Sequence, residues 1–473
     1  MRIISAILAL ALAAVLSGCT PAVSIRPLYN EADLKKPVIE PRIEGEWIEY
    51  QGDNGEGDVK WKIASSSHNT YDVEFRPVKP DPQKGDEVSR YDLRLVAIGD
   101  KLFFDGLFSE QSKGQVTTRS SELLGLAPAH VIGGIWAHPD YLRIAFLDSE
   151  WAAKHSPASF YETEGHGEGE DLVIITASTQ EVRDFLVRAQ DDEEAMFSIY
   201  LCRPGVDCAM RWAEDELSRL PRYKDEDKRD GLLSEMGQFF LARGDYDRAV
   251  EMRRHRVELK PHDSSLHEDL GRALLFKRDF RAARVEFAAA ESAGADELKS
   301  NPWKDWDLIK NISEGATSQD AEGIVWSYFI EGDYSGAVAS FGNYKGGDGF
   351  LSANPILLSY FALQRLGKRA EADVLLKERS AKFRGRPDDH LLLLSLQGRV
   401  IEPDAVLGWQ PTKGDVLQRF YFYRALQSID SGDTESGRSN LQYALAVSDA
   451  PKDGLPALAA KIELERLGPS LKK

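Results

Sequence analysis

Past its N-terminal segment the chain has no run of about 20 apolar residues, the length a helix needs to cross a bilayer, so an internal transmembrane helix is excluded. Basic residues are in the minority. Lys and Arg number 59 against 77 Asp and Glu, a formal net charge of −18. Nucleic-acid binding needs a basic footprint, as does electrostatic attachment to an anionic membrane surface, and the charge argues against both. Cysteine is scarce, at three in 473 residues. No Gly-x-Ser-x-Gly, no Walker loop and no strand-following Gly-x-Gly-x-x-Gly occurs, so the reactions those motifs carry have no support. His155, His166 and the acidic run from Glu162 to Asp171 lack the spacing that aims ligands at one ion, and Gly165 and Gly167 mark them as a solvated loop. Asn311-Ile312-Ser313 matches a glycosylation acceptor, a common triplet that carries little weight here. Acidic residues are abundant enough for a carboxylate pair to form in space, so the sequence leaves that route open. The reading is a non-enzyme without cofactor or metal.

What is present begins at the N-terminus. Arg2 precedes an apolar run from Ile3 to Leu16, and Leu16-Ser17-Gly18-Cys19 follows. A basic start, a short apolar stretch and small residues read as a secretory signal. The last four residues resemble the lipobox of bacterial lipoproteins. That resemblance implies cleavage before Cys19 and acylation of its thiol, with palmitate-type chains as a stable membrane anchor. An ordinary signal peptide with a chance cysteine is the alternative. Thr20 stands where inner-membrane lipoproteins commonly carry aspartate, which favours the outer membrane, facing the periplasm. Cleavage removes Arg2 and leaves a mature net charge of −19. The other two cysteines, Cys202 and Cys208, flank Pro204-Gly205, a turn that brings thiols together in an oxidising compartment. A disulfide is expected there. Free thiols or a metal site are the rivals, and no nearby His pair supplies further ligands.

The expected order is a signal peptide over 1–18, a tether over 19–43, a β domain over 44–205, a linker with a helix over 206–229, and helical repeats over 230–470. The tether rests on Pro21, Pro27, Pro37 and Pro41 and on the lack of any period. Alternation then starts: Val59, Trp61 and Ile63 interleave with charged residues, as do Tyr71, Val73 and Phe75. Period two means strands with one buried face. Tyr91 to Ile98 and Leu102 to Asp105, joined by Gly99-Asp100, read as a hairpin. Tyr141 to Leu147 and Leu172 to Thr176 are further strands. Ser178 with Glu181 forms a capping box opening a helix whose Val182, Phe185 and Leu186 make an apolar stripe. The sum is an antiparallel barrel or curled sheet closed by a helix. Gly45-Glu46-Trp47 resembles the Gly-x-Trp start of lipocalin-like barrels. The run over about 25–200 is also similar to lipocalin-like domains of bacterial lipoproteins, through Pro27-Leu28-Tyr29, the hairpin Leu95 to Phe104 and the strand-helix unit Leu172 to Leu186. It implies architecture and no assigned chemistry. Trp47 and Trp61 are read as core, with ligand contact as the alternative.

After the charged stretch 221–229 the period becomes helical. Gly237, Tyr246 and Ala249 recur 34 residues later as Gly271, Phe280 and Ala283, and Phe287 and Ala290 follow. This resembles tetratricopeptide repeats, two helices per copy, stacked because one copy cannot bury its own apolar face. Gly332, Tyr334, Ala337 and Phe341 suggest a third copy, Gly367, Ala372 and Leu376 a fourth, and Gly432, Leu441 and Ala444 another. The alanine spacing of 34, 54 and 35 places an insertion near Asn301 to Gln319. The whole is α+β and multidomain, a barrel followed by an all-α solenoid.

The resemblance to the repeat family implies that first-helix residues line a groove for a cell-envelope protein or peptide. Position by position these are Gln238, Leu241, Glu268, Arg272, Phe276 and Trp326. The leading expectation is a membrane-anchored, non-enzymatic adaptor. The alternatives are a lipid or small-molecule carrier that uses the β domain as a cup, and an envelope enzyme.

Overall fold

A computed structural model describes residues 22–50, 56–66, 69–77, 88–108, 130–157, 159–165, 171–189, 192–300, 322–343, 352–383, 387–396, 413–448, 450–451 and 454–469. The chain divides into two units, Met1–Arg229 and Asp230–Lys473.

The first unit runs β1 (Val23–Ser24), α1 (Glu31–Lys35), β2 (Gly45–Tyr50), β3 (Glu56–Ser65), β4 (Tyr71–Pro77), β5 (Ser89–Ile98), β6 (Lys101–Phe108), β7 (His130–Ala137), β8 (Tyr141–Leu147), α2 (Ser149–His155), β9 (Tyr161–Gly165), β10 (Asp171–Ile175), α3 (Thr179–Ala189), β11 (Met196–Cys202) and α4 (Cys208–Arg219). β2 to β8 follow one another as antiparallel neighbours, and β11 closes the ring between β8 and β2. The result is a closed antiparallel barrel of eight strands. The expected hairpin is present, with Ile98 opposite Lys101 across Gly99-Asp100 and Gly99 at φ 65°. The alternating residues point inward as their period requires. Trp47, Trp61, Val73, Phe75, Leu95, Phe104, Leu142, Ile144 and Phe146 form one buried cluster.

A second cluster lies on the outside of the barrel wall. Val96, Phe103 and Ile132 point outward from their strands and are covered by Val182, Phe185 and Leu186 of α3, by Ala152 of α2 and by Val173 and Ile175 of β10. The α3 capping box forms, with the Ser178 amide donating to Glu181 at 2.8 Å. The closing helix therefore packs against the barrel's flank. β9 and β10 pair with each other, and β10 joins the sheet through β1. Much of the acidic run expected as a loop is thus strand, with Glu162 opposite Ile174; His166 lies outside the described residues.

Two expected segments differ in kind. The tether over 19–43 is part of the fold from Ala22 onward. Ala22 is fully buried and its amide donates to the Leu147 carbonyl at 2.9 Å. β1 pairs with β7 and β10, Leu28 is buried, and the Tyr71 hydroxyl accepts the Glu40 amide at 2.7 Å. A two-residue strand and isolated anchor residues are too short to show a period, so only the tertiary pairing reveals them. The linker over 206–229 contributes α4, which packs on the barrel. Trp212 lies against Tyr50, and Arg219 bonds Glu193, Glu216 and the Tyr200 hydroxyl. The Cys202–Cys208 disulfide ties the end of β11 to the start of α4.

The second unit consists of helices joined as hairpins. α5 (Glu226–Ala242) pairs with α6 (Tyr246–Leu259), α7 (Ser264–Phe276) with α8 (Phe280–Ser300), and α9 (322–331) with α10 (Tyr334–Asn343). α11 (Asn354–Arg365) pairs with α12 (Arg369–Lys382), α13 (Pro387–Leu396) follows, α14 (Lys413–Asp430) pairs with α15 (Thr434–Ala446), and α16 (Leu455–Leu467) ends the described chain. Each hairpin turns through one residue in the left-handed region: Gly244, Arg278, Gly332, Gly367 and Gly432. In four of them the next amide reaches back to a carbonyl five residues earlier, as Asp245 does to Phe240 and Asp433 to Ser428, the helix-ending bond of a Schellman turn. Five and nine residues after the turn come a small buried residue and a larger one: Ala249 and Arg253, Ala283 and Phe287, Ala337 and Phe341, Ala372 and Leu376, Gly437 and Leu441. A Cβ on Gly271 would lie 2.8 Å from the Phe287 ring, which is why that helix crossing takes glycine. The expected insertion at 301–319 lies outside the described residues, as do Asn311 and Cys19.

Candidate functional site

The shared turn gives the five hairpins a common register. Six residues before it, on the first helix, stand Gln238, Arg272, Trp326, Phe361 and Leu426. Gln238 and Arg272 are exposed, while Trp326, Phe361 and Leu426 are buried. Ten residues before the turn, Ser234, Glu268 and Glu322 are half-buried, and Leu357 and Phe422 are fully buried. Six residues before the turn the helix face is polar and open in the first two hairpins and apolar and closed in the later three, while ten residues before it a half-buried polar side chain persists through the third.

The closure has identifiable contacts. Trp326 packs on Phe422 with ring centroids 5.7 Å apart, and Phe361 stacks on Tyr423 at 6.1 Å. Asn354 donates to Glu322 at 2.7 Å and accepts from the Tyr423 hydroxyl at 2.7 Å. These bonds join α9, α11 and α14 face to face. Trp326 itself donates its indole N–H to Glu322 at 3.2 Å.

Of the six residues expected to line a groove, Gln238, Glu268 and Arg272 reach the surface, and Arg272 pairs with Glu268 one turn earlier. Leu241, Phe276 and Trp326 do not. Phe276 lies against Tyr246, 5.8 Å between centroids, and Leu241 and Trp326 are likewise enclosed. Apolar first-helix residues are taken up by neighbouring helices, because burying such a side chain stabilises by about 2 kcal/mol relative to leaving it in water. Phe276 and Trp326 are packing residues and do not serve as surface anchors. The signal that separates the two classes was in the sequence: aligned on the turn, the residue type changes from Gln and Arg to Trp, Phe and Leu.

No protein-family model matches this chain. No curated protein shows detectable sequence similarity to it. The functional reading therefore rests on the site itself.

The first unit offers less. The barrel interior, where a carrier would hold its ligand, is filled by Trp47, Trp61, Phe75, Tyr91, Phe104 and Phe146. A recess of about 510 Å³ remains at one end of the barrel, lined in part by Ile39, Glu40, Asp100, Leu102, Trp136 and His138. On the outer wall Arg143 lies over the Trp136 ring at 3.7 Å and near Asp215 at 3.7 Å. Burial, helped by Asp215, pushes the Tyr141 phenol up to about 12, and burial with Glu216 holds Tyr200 well above its ordinary range. Both phenols are therefore protonated at neutral pH, and these groups join α4 to the barrel. Among the described residues no three His, Cys, Asp or Glu side chains gather to hold a metal, and no helix is long and apolar enough to cross a membrane.

Proposed function

We propose that the chain is a lipid-anchored envelope lipoprotein acting as a non-enzymatic adaptor. It takes a protein or peptide segment of the cell envelope on the first-helix face of its first two hairpins. In this reading the hairpins are tetratricopeptide-like repeats, the barrel is lipocalin-like, and acylation of Cys19 holds the protein at the outer membrane facing the periplasm. The carrying observation is the split at one register position, where Gln238 and Arg272 are exposed and Trp326, Phe361 and Leu426 are buried. Burial of that face in the later copies gives them a rigid body. Its polar counterpart in the first two is left for a partner, as repeat arrays use their first-helix surfaces. The exposed Arg272 suits an acidic side chain or a terminal carboxylate, which a guanidinium grips with two parallel bonds.

The test is a photo-crosslinking residue placed at Gln238, at Arg272 and, as a control, at Tyr443, which is 60% exposed on a second helix. In intact cells the first two positions should trap the same protein and the control should not. Capture from Tyr443 alone, or from none of the three, overturns the proposal. With the trapped protein purified, Arg272→Glu should weaken its binding several-fold.

A further inference from the structure

The start of the fold lies unusually close to the candidate anchor. Ala22 is fully buried and bonded to Leu147, and the next residue pairs with both β7 and β10. From Cys19 to Ala22 there are three residue steps, which reach at most about 10 Å when fully extended. A unit of this size has a radius of gyration of about 17 Å. A flexible tether running from 19 to 43 would instead have a root-mean-square reach of roughly 25–30 Å. The longer tether would let the barrel tumble above the membrane. The shorter one is less than the unit's own radius, so it cannot.

We propose that the acyl anchor seats the first unit directly on the bilayer in a fixed orientation, with the surface around α2 facing the lipid. This rests on the reading that Cys19 is acylated. α2 begins beside Ala22, the residue from which the connection to Cys19 departs. Ala22 bonds to Leu147, two residues before the helix starts, and Ala22 and Ala152 share one buried cluster. Trp151 packs at the edge of that cluster with its indole nitrogen buried, and Glu150, Lys154 and His155 are exposed on the same helix. The Lys154 ammonium beside the attachment segment suits the phosphate level of an anionic headgroup layer. The turn at Gly99-Asp100 is remote from this point along the strands. The register sets Phe103 opposite Gly134, so the turn lies at the Ala137 end of β7, whereas β1 pairs at the His130 end. The seated orientation therefore holds the recess end of the barrel away from the attachment point.

The full acylated chain is placed in vesicles of phosphatidylethanolamine and phosphatidylglycerol. Single nitroxide labels are attached through Lys154→Cys or Asp100→Cys, both exposed positions. Collision with a lipid-attached nickel chelate should relax the label at 154 several-fold more than the label at 100. A Gly-Ser insert of about 12 residues between Thr20 and Pro21, with a reach of about 20 Å, should erase most of that difference. Mass analysis of the Cys19 peptide accompanies both measurements. Acylated protein with equal relaxation at the two sites overturns the seating alone. A difference that survives the insert shows that the short connection is not its cause and overturns the mechanism. An unmodified Cys19 overturns the seating together with the anchor reading.

Discussion

Arg365, at the end of α11, grips Glu463 of α16 through both terminal nitrogens at 2.9 Å, across 98 residues of sequence. The same guanidinium donates to the Tyr334 hydroxyl at 2.6 Å and to Asp430 at 3.3 Å. One side chain thus gathers the ends of four helices. Arg365→Ala leaves Glu463 buried without its main partner, and such a loss costs about 3–5 kcal/mol. Urea unfolding of the second unit should show a fall of that size, and Arg365→Lys should recover little, since an ammonium cannot make the paired bonds. A variant as stable as the parent would remove Arg365 from this role.

The same pair sets a pH dependence. Burial raises the Glu463 carboxyl, but the bonds and charge of Arg365, with Arg466, outweigh it and hold the group below its ordinary 4.5. A depressed carboxylate contributes stability that is present above the unfolded value and lost as pH falls through the folded value. Thermal stability of the second unit should therefore fall below about pH 4.5. Glu463→Gln should be less stable at neutral pH and show a shallower acid slope. Asp430, raised by burial, works in the opposite sense, so the comparison of the two proteins isolates Glu463. Parallel acid profiles would contradict it.

Equivalent positions should respond unequally. Trp326→Ala empties a fully buried site and is expected to cost about 3–5 kcal/mol. Arg272→Ala, at an exposed position paired with Glu268 one turn away, should change stability by less than about 0.5 kcal/mol. Chemical denaturation of the two variants checks this. A destabilising Arg272→Ala would mean that the open face is a structural surface.

The turns offer a test with opposite signs. Gly367 has φ 75° and open space where a Cβ would sit, so Gly367→Ala bears only the backbone penalty, about 1–2 kcal/mol. Arg278 already occupies that region at φ 67°, and its side chain makes an exposed pair with Glu465 at 2.6 Å. Arg278→Gly relieves the backbone and gives up a surface pair worth less than about 1 kcal/mol. It should leave the unit equally or slightly more stable. A marked loss of melting temperature in Arg278→Gly would show that the pair outweighs the strain.

In the first unit the buried Asp105 accepts the Leu28 amide at 2.6 Å and meets His130 Nδ1 at 2.6 Å. Asp105→Ala leaves the Leu28 amide and the His130 ring nitrogen without this partner in an apolar setting, at a cost of about 1–3 kcal/mol for each unpaired group. The expected outcome is a destabilised barrel in which the Leu28 amide loses its protection from hydrogen exchange. Full protection at Leu28 would place the hold on this segment elsewhere.

The sequence by itself determined the period-two strands from Val59 to Phe75, the Gly99-Asp100 hairpin, the capping box at Ser178, the nearness of Cys202 to Cys208 and the repeating turn glycines. These are local signals, because a strand's alternation, a helix cap and a left-handed turn are each set within a few residues. Tertiary structure decided what no window of that size contains. It placed α3 on the barrel's flank, made 22–43 part of the fold through the Ala22 and Leu28 bonds, and joined α4 to the barrel through Arg219 and Tyr200. It also separated Arg272 from Trp326. Both stand at the same place on a first helix, and one is open to water while the other is enclosed, because burial depends on which helices from distant sequence come to lie across that face.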